Sequence, residues 1–160
     1  MRHLSESKYN NLTRCKTIQN AYSLLNRLFE INLAEVSMRE NVGLLAYSPM
    51  AFGRLSGKYL NGKMPEGSRI KLFPQFLRYN SEQSLHATQM YAELAKELNI
   101  SLAQLSLAFV NQREFLTSNI IGATTLEQLS ENIGSINIDL SDEILQKIDQ
   151  IQELQPNPAP

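Results

Sequence analysis

The sequence predicts an α/β fold built on a parallel sheet, and three observations predict it. Short apolar runs alternate with amphipathic stretches of helical period. Their order is strand, helix, strand, helices, strand, helix, and each strand candidate runs into turn residues or a helix cap. Right-handed crossovers would place the helices outside the sheet. The chain has 160 residues, 42% hydrophobic and 19% charged, which suits one ordinary buried core. A net charge of −1 and a pI near 6.1 provide no cationic surface for nucleic acid or an anionic membrane, so neither partner is expected.

Met1 to Asn11 is polar and lacks the apolar stretch of a signal peptide. Thr17-Ile18-Gln19-Asn20 is a short strand candidate. Between Glu30 and Glu40, Ile31, Ala34 and Met38 share a helical stripe expected to face inward, and Gly43 follows a break. Leu44-Leu45-Ala46-Tyr47 reads as a buried strand. From Ser48 to Asn80 the chain reads as one long loop, in which Arg54, Lys58, Lys63, Arg69 and Lys71 are interspersed with glycines. A flap of that kind brings cations to phosphates.

Ala87, Met90, Tyr91, Leu94, Ala95 and Leu98 trace the apolar face of a helix starting near Ser81, and Ser101 with Gln104 forms a capping box for the next, ending near Gln112. Asn119-Ile120-Ile121 is the third strand candidate. Thr124 or Thr125 then caps a helix expected to turn Leu126, Leu129, Ile133 and Ile136 inward. A last helix after the cap Ser141 carries Ile144, Leu145, Ile148 and Ile151, and residues 156–160 read as a frayed tail beyond a domain of residues 1–155. Three strands covered on one side would leave the other face apolar and exposed. The sheet is therefore expected to belong to a larger one or to pair with a second copy.

Cys15 is the sole cysteine, so no internal disulfide forms. With no signal peptide and no apolar stretch of spanning length, a cytoplasmic location is expected. His3 and His86 lie far apart without ligand-like spacing, and no metal site is expected. Gly53 to Lys58 lacks the P-loop spacing, and neither GxGxxG nor GxSxG occurs.

Ligands of parallel α/β folds collect at the carboxyl ends of the strands, here Gln19-Asn20, Tyr47-Ser48 and Gly122-Ala123-Thr124. An amide, an aromatic with a hydroxyl neighbour, and a helix N-terminus suit an amide-bearing ring and an anion. Thr124, Gln128, Glu131 and Asn132 share one face of the helix after Gly122. That face begins where free N–H groups favour a phosphate, and its side chains can read a purine.

Four ordered segments then resemble the aldo-keto reductase superfamily, most closely a bacterial branch of it. They are Thr17-Ile18-Gln19-Asn20 leading into Tyr22-Ser23-Leu24-Leu25-Asn26-Arg27; Leu45-Ala46-Tyr47-Ser48-Pro49; Gly53 through Ser56-Gly57-Lys58-Tyr59; and Gly122-Ala123-Thr124-Thr125 with Gln128, Glu131 and Asn132. The resemblance runs from Leu4 to Pro160. It implies the C-terminal part of a (β/α)8 TIM barrel, strands 6 to 8 with flanking helices, binding NADPH, here NADP(H), along the rim.

By resemblance, Gln19 bonds the nicotinamide carboxamide, Tyr47 stacks on the nicotinamide ring, and Ser48 and Met50 follow the pyrophosphate. Lys58 and Arg69 close on the pyrophosphate or 2′-phosphate, and Thr124, Gln128, Glu131 and Asn132 hold the adenosine end. Ala21 stands where relatives usually have proline, and Phe76 to Asn80 are not mapped by the resemblance. The family's catalytic Asp, Tyr, Lys and His belong to the first five strands, so no catalytic residue is expected in this chain. The implied function is the NADPH-binding portion of a reductase of aldehydes or ketones, which takes a carbonyl substrate only if the missing half is supplied. The alternative is a noncatalytic nucleotide-binding or assembly module that self-associates as a half-barrel homodimer rather than pairing with an N-terminal half.

Overall fold

Three short parallel strands carry the fold in a computed structural model that describes residues 2–75 and 77–160, with Leu77 given by its backbone alone. Phe76, at the head of the unmapped loop stretch, lies outside the described residues. The polar start forms helix α1 (Arg2–Tyr9), and β1 (Thr17–Ala21) follows. The segment expected as one helix is split into a 3-10 turn, Leu28–Glu30, and α2 (Leu33–Glu40). α2 ends at Asn41 in the left-handed conformation, so Gly43 is free to begin β2 (Gly43–Tyr47). Its missing side chain matters there, because a Cβ on Gly43 would meet Thr117 Oγ1 at 1.8 Å.

β1 pairs with β2 and β2 with β3 (Leu116–Asn119), all parallel, in spatial order β1-β2-β3. The third strand thus lies three residues earlier than its apolar run suggested. Leu116, Ser118 and Asn119 carry the pairing, and an irregularity at Leu44/Leu45 shifts the register past Thr117. Among its described residues the long loop contains four short helical pieces: Ala51–Ser56, Leu60–Gly62, α3 (Arg69–Leu72) and Leu77–Tyr79.

α4 (Glu82–Glu97) is capped by the Ser81 side chain, and α5 (Leu102–Asn111) by the Ser101–Gln104 box. Thr125, rather than Thr124, caps α6 (Leu126–Gly134). α7 (Asp142–Leu154) starts after Ser141, whose side chain makes no capping bond; Asp142 and Glu143 complement the helix dipole instead.

The core lies on one face of the sheet. Leu44 and Ala46 of β2 are fully buried against Tyr22, Leu24, Phe109 and the apolar positions of α4, α5 and α7. Tyr22 stacks on Phe109 and meets Phe115 edge-on, with ring centroids 5.9 and 5.3 Å away. Its hydroxyl donates to Glu30, which Arg27 also grips, while Arg27 reaches Asp149 on α7 at 2.7 Å. On the open face, in-register pairing places Thr17, Gln19, Leu45, Ser118 and Tyr47 side by side. That face is mixed, not the apolar face expected, because β1 and β3 contribute hydroxyls and an amide.

Three further expectations are corrected. Ile31 and Met38 are exposed, since α2 turns Ala34 and Ser37 inward. Leu126, Leu129, Ile133 and Ile136 are 79%, 39%, 58% and 73% exposed, because α6 packs on α5 and the following turn through Asn132 and Ser135. Among the described residues there is no fourth strand beyond β3 for that stripe to cover. The tail is not frayed: Ala159 N donates to Leu25 O at 3.0 Å, Ser84 Oγ donates to Pro158 O at 2.8 Å, and Pro158 and Ala159 are buried. No helix among the described residues is long and apolar enough to cross a membrane.

Candidate nucleotide-binding rim

The strands end together, with Ala21 opposite Tyr47 and Ala46 opposite Asn119. Gln19 and Tyr47 share the open face, one strand and two residues apart, which is roughly 8 Å from ordinary strand spacing and rise. Gln19 is exposed, Tyr47 is 37% exposed, and neither side chain has a hydrogen-bond partner among the described residues. An aromatic face and a free amide therefore stand ready at the rim.

After Tyr47 the backbone passes through several left-handed conformations. Ser48, Ala51 and Phe52 have φ of 54°, 48° and 60°. Each such non-glycine residue costs on the order of 1–3 kcal/mol and persists where its surroundings hold it. The holding contacts are visible. Ser48 O accepts from Ala51 N at 2.9 Å, Met50 O accepts from Gly53 N at 2.8 Å and Leu55 N at 3.2 Å, and Ala51 and Leu55 are buried. The result presents a tight loop at the end of β2.

Cations surround this loop and rest on rings rather than on carboxylates. Lys58 Nζ lies 5.3 Å from the Tyr59 ring centre, and Arg69 lies 5.2 Å above Phe52. Arg54 is buried, donates from Nε to Tyr79 O at 3.1 Å and from its other end to Asn80, and covers Tyr59. Burial lowers the pKa of its guanidinium, and Tyr59 partly offsets the shift. Residues 48–80 hold six of the fifteen cations of the chain but one of its sixteen acids. That acid, Glu66, pairs with Lys71, so Arg54, Lys58, Lys63, Arg69 and Arg78 have no carboxylate partner among the described residues. Such a segment attracts anions.

At the head of α6, Gln128 folds back so that its Oε1 accepts from Thr124 N at 3.0 Å and Thr124 Oγ1 at 3.1 Å. Asn132 is buried and donates from Nδ2 to Gly122 O at 3.4 Å, whereas Glu131 is half-buried and has no ion pair among the described residues. The Glu127 carboxyl is held below the usual range by its own backbone N–H and the Thr125 hydroxyl, as the positive end of a helix favours. The structure thus sets Met50 and Lys58 beside Gly53 and Arg69 over Phe52, and it joins Gln128 to Thr124 and Asn132 to Gly122. No hydrogen bond or ion pair joins the two groups among the described residues. Sequence reasoning missed the burial of Arg54 and the position of Arg78. Only the cation-aromatic spacing of Phe52, Arg54, Lys58 and Tyr59 hinted at the former.

Cations and a helix N-terminus at the carboxyl ends of parallel strands are the architecture of phosphate-binding α/β proteins. Within that class, the profile of the Aldo/keto reductase family matches residues 1–153, and the chain belongs to that family. It is 47% identical over its whole length to Protein tas of Escherichia coli, covering 46% of that protein. It is 35% identical to the L-glyceraldehyde 3-phosphate reductase of the same organism, over 82% of the chain and 40% of the relative. To the oxidoreductase YrpG of Bacillus subtilis it is 34% identical, over 84% and 40%. The chain therefore spans a little under half the length of these relatives. Membership implies a TIM barrel, and an open three-stranded parallel sheet is compatible with part of one.

Proposed function

We propose that the chain is the NADPH-holding portion of an aldo-keto reductase that reduces aldehydes or ketones, with the proton-donating residues outside this sequence. The observation that carries the reading is the cation-rich loop, with Glu66 as its one acid, beside an exposed aromatic at the strand rim. Gln19 would bind the carboxamide and Tyr47 the nicotinamide face, while Ser48, Met50 and the loop backbone would follow the pyrophosphate. Lys58 and Arg69 would neutralise phosphate charge, and Thr124, Gln128, Glu131 and Asn132 would hold the adenosine end. The bound cofactor supplies hydride to a carbonyl carbon. No residue here is assigned to the proton that reaches the oxygen, and Tyr47 is not recruited for it. The relative named L-glyceraldehyde 3-phosphate reductase is in keeping with carbonyl reduction.

Calorimetric titration of the purified chain with NADPH should give saturable, salt-sensitive binding without carbonyl-dependent NADPH oxidation. Absence of binding by a folded chain, or robust turnover by the chain alone, would overturn the reading. A second reading, a noncatalytic assembly module, is favoured by the exposed apolar stripe of α6 and the two unpaired sheet edges. Sedimentation equilibrium separates the two: a stable homodimer with no NADPH affinity supports the second.

A further inference from the structure

Arg54 is a buried cation to which the proposed cofactor contacts give no part. It is 5% exposed, and no Asp or Glu among the described residues forms an ion pair with it. Buried arginines are ordinarily paired with carboxylates, because a charge taken out of water loses its hydration. An apolar side chain of similar volume fills such a site without that cost, so stability alone does not call for a guanidinium here.

What the guanidinium supplies is simultaneous contact with separate parts of the long loop. Arg54 sits in the first helical piece, Ala51–Ser56. Its Nε donates to Tyr79 O at 3.1 Å, 25 residues further on, and its far end donates to Asn80 Oδ1 just before α4. One side chain thereby ties the start of the loop to its end. It also covers Tyr59, with the guanidinium carbon 5.1 Å from the ring centre.

The rings held in this way carry the loop's other cations. Lys58 rests on Tyr59 at 5.3 Å. The Tyr59 hydroxyl accepts the Ile70 N–H at 3.2 Å, which fixes the start of α3 and with it Arg69. Arg69 lies over Phe52, and Phe52 stacks on Tyr79 with ring centroids 6.4 Å apart. Without Arg54, Tyr79 loses its anchor behind Phe52, and Tyr59 loses its cover.

We propose that Arg54 is a positioning residue that pins the long loop in its anion-binding shape before any ligand arrives, so that Lys58 and Arg69 are presented together. It acts through Tyr59, Tyr79 and Asn80 and makes no ligand contact of its own. A binding-competent shape that is only fractionally populated weakens affinity by that fraction, so pinning tightens binding without adding a contact. That the ligand received is NADPH rests on the proposed function; that Arg54 holds the loop does not.

The test compares the full chain with Arg54→Met and Arg54→Lys by amide hydrogen exchange without ligand and by calorimetric titration with NADPH. The Ile70 amide should exchange at least about tenfold faster in Arg54→Met, while the amides of Leu105 and Phe109 in α5 keep their rates. NADPH should bind at least about tenfold more weakly to Arg54→Met, and Arg54→Lys, which keeps the charge and one donor, should recover part of both losses. Because Arg54 acts through Lys58 and Arg69, adding Arg54→Met to the Lys58→Met/Arg69→Met variant should cost about twofold or less. A residue that only supported the fold would speed exchange in α5 as well and would lower affinity equally in either background. Should Arg54→Met fail to fold, Asn80→Ala removes one of its acceptors at a half-buried position and should show both effects in smaller measure. Unchanged Ile70 exchange, unchanged NADPH affinity or fully additive losses would overturn the proposal. If Ile70 responds to Arg54→Met in a chain that binds no NADPH, the cofactor reading falls alone; if NADPH binds regardless of Arg54, this proposal falls alone.

Discussion

Replacing Lys58 and Arg69 with methionine, singly and together, tests the cofactor loop most directly. Each cation rests on a ring, 5.3 Å and 5.2 Å from its centre, and neither has an acidic partner among the described residues. At exposed sites a cation–π contact is worth about 0.5–1 kcal/mol, whereas a hydrogen bond between charged groups is worth about 1.5–3 kcal/mol. Moving from ring to phosphate therefore gains roughly 1–2 kcal/mol per cation, or about 5- to 30-fold in affinity. Methionine keeps an apolar stem against the ring and removes the charge. Titration with NADPH and NADH should show that loss for NADPH in each single variant. The cation that meets the 2′-phosphate should lose little NADH affinity, so the NADPH preference falls in that variant and in the double variant. Raising salt should weaken the unaltered chain more than the double variant. Undiminished NADPH affinity in the double variant would refute the phosphate assignment, and equal loss of both cofactors in both single variants would refute the NADP preference.

Three other outcomes follow from the packing. Burial raises the Tyr22 and Tyr91 hydroxyls above the ordinary tyrosine value, with Glu30 adding to the shift at Tyr22. Because the unfolded chain ionises first, their stabilisation is complete below about pH 10 and is lost as pH rises toward the raised folded values, at about 1.4 kcal/mol per pH unit per tyrosine. Urea midpoints between pH 9 and 11.5 should show this fall, Tyr22→Phe should remove one share of it, and a flat profile would contradict the burial argument. Gly43→Ala should cost about 1–3 kcal/mol through the 1.8 Å clash with Thr117 Oγ1. Thr117→Ala in the same chain should recover part of it, and equal cost with and without Thr117 would show that the clash is not the cause. Asn157→Ala should cost about 1–2 kcal/mol, because its Oδ1 accepts the Arg27 N–H at 2.7 Å. The Ala159 amide should exchange slowly with solvent, and exchange at the free-chain rate would restore a frayed tail.

The elements were most legible where one residue type has one local use. Ser101 and Gln104 announce a capping box three residues apart, and both bonds are present. The stripe from Ala87 to Leu98 works because a long helix repeats its signal over four turns. β3 misled because Ile120 and Ile121 form the apolar run while Leu116 and the polar Ser118 and Asn119 carry the pairing. Strand position follows backbone partners, and hydrophobicity alone does not encode them. The rim was partly legible, since Tyr47 and Gly122 follow directly from strand order. The cleft between the ends of β1 and β2 was not, because its lining comes from residues 20–33, 47, 78 and 160, brought together by folding.

By itself the sequence determined the parallel α/β order, the helix caps, the family and the charge of the long loop, because each depends on neighbours within a few residues or on collinear motifs. Only the tertiary structure decided which apolar stripes find a partner. Leu44 and Ala46 are covered because α5 and α7 pack over β2, while the equally apolar stripe of α6 lies open beyond the last strand. The tail was decided in the same way. Nothing local in Pro156 to Pro160 distinguishes a loose end from a strap. The acceptor and donor groups of Leu25, Ser84 and Arg27, far away in the chain, make it the latter.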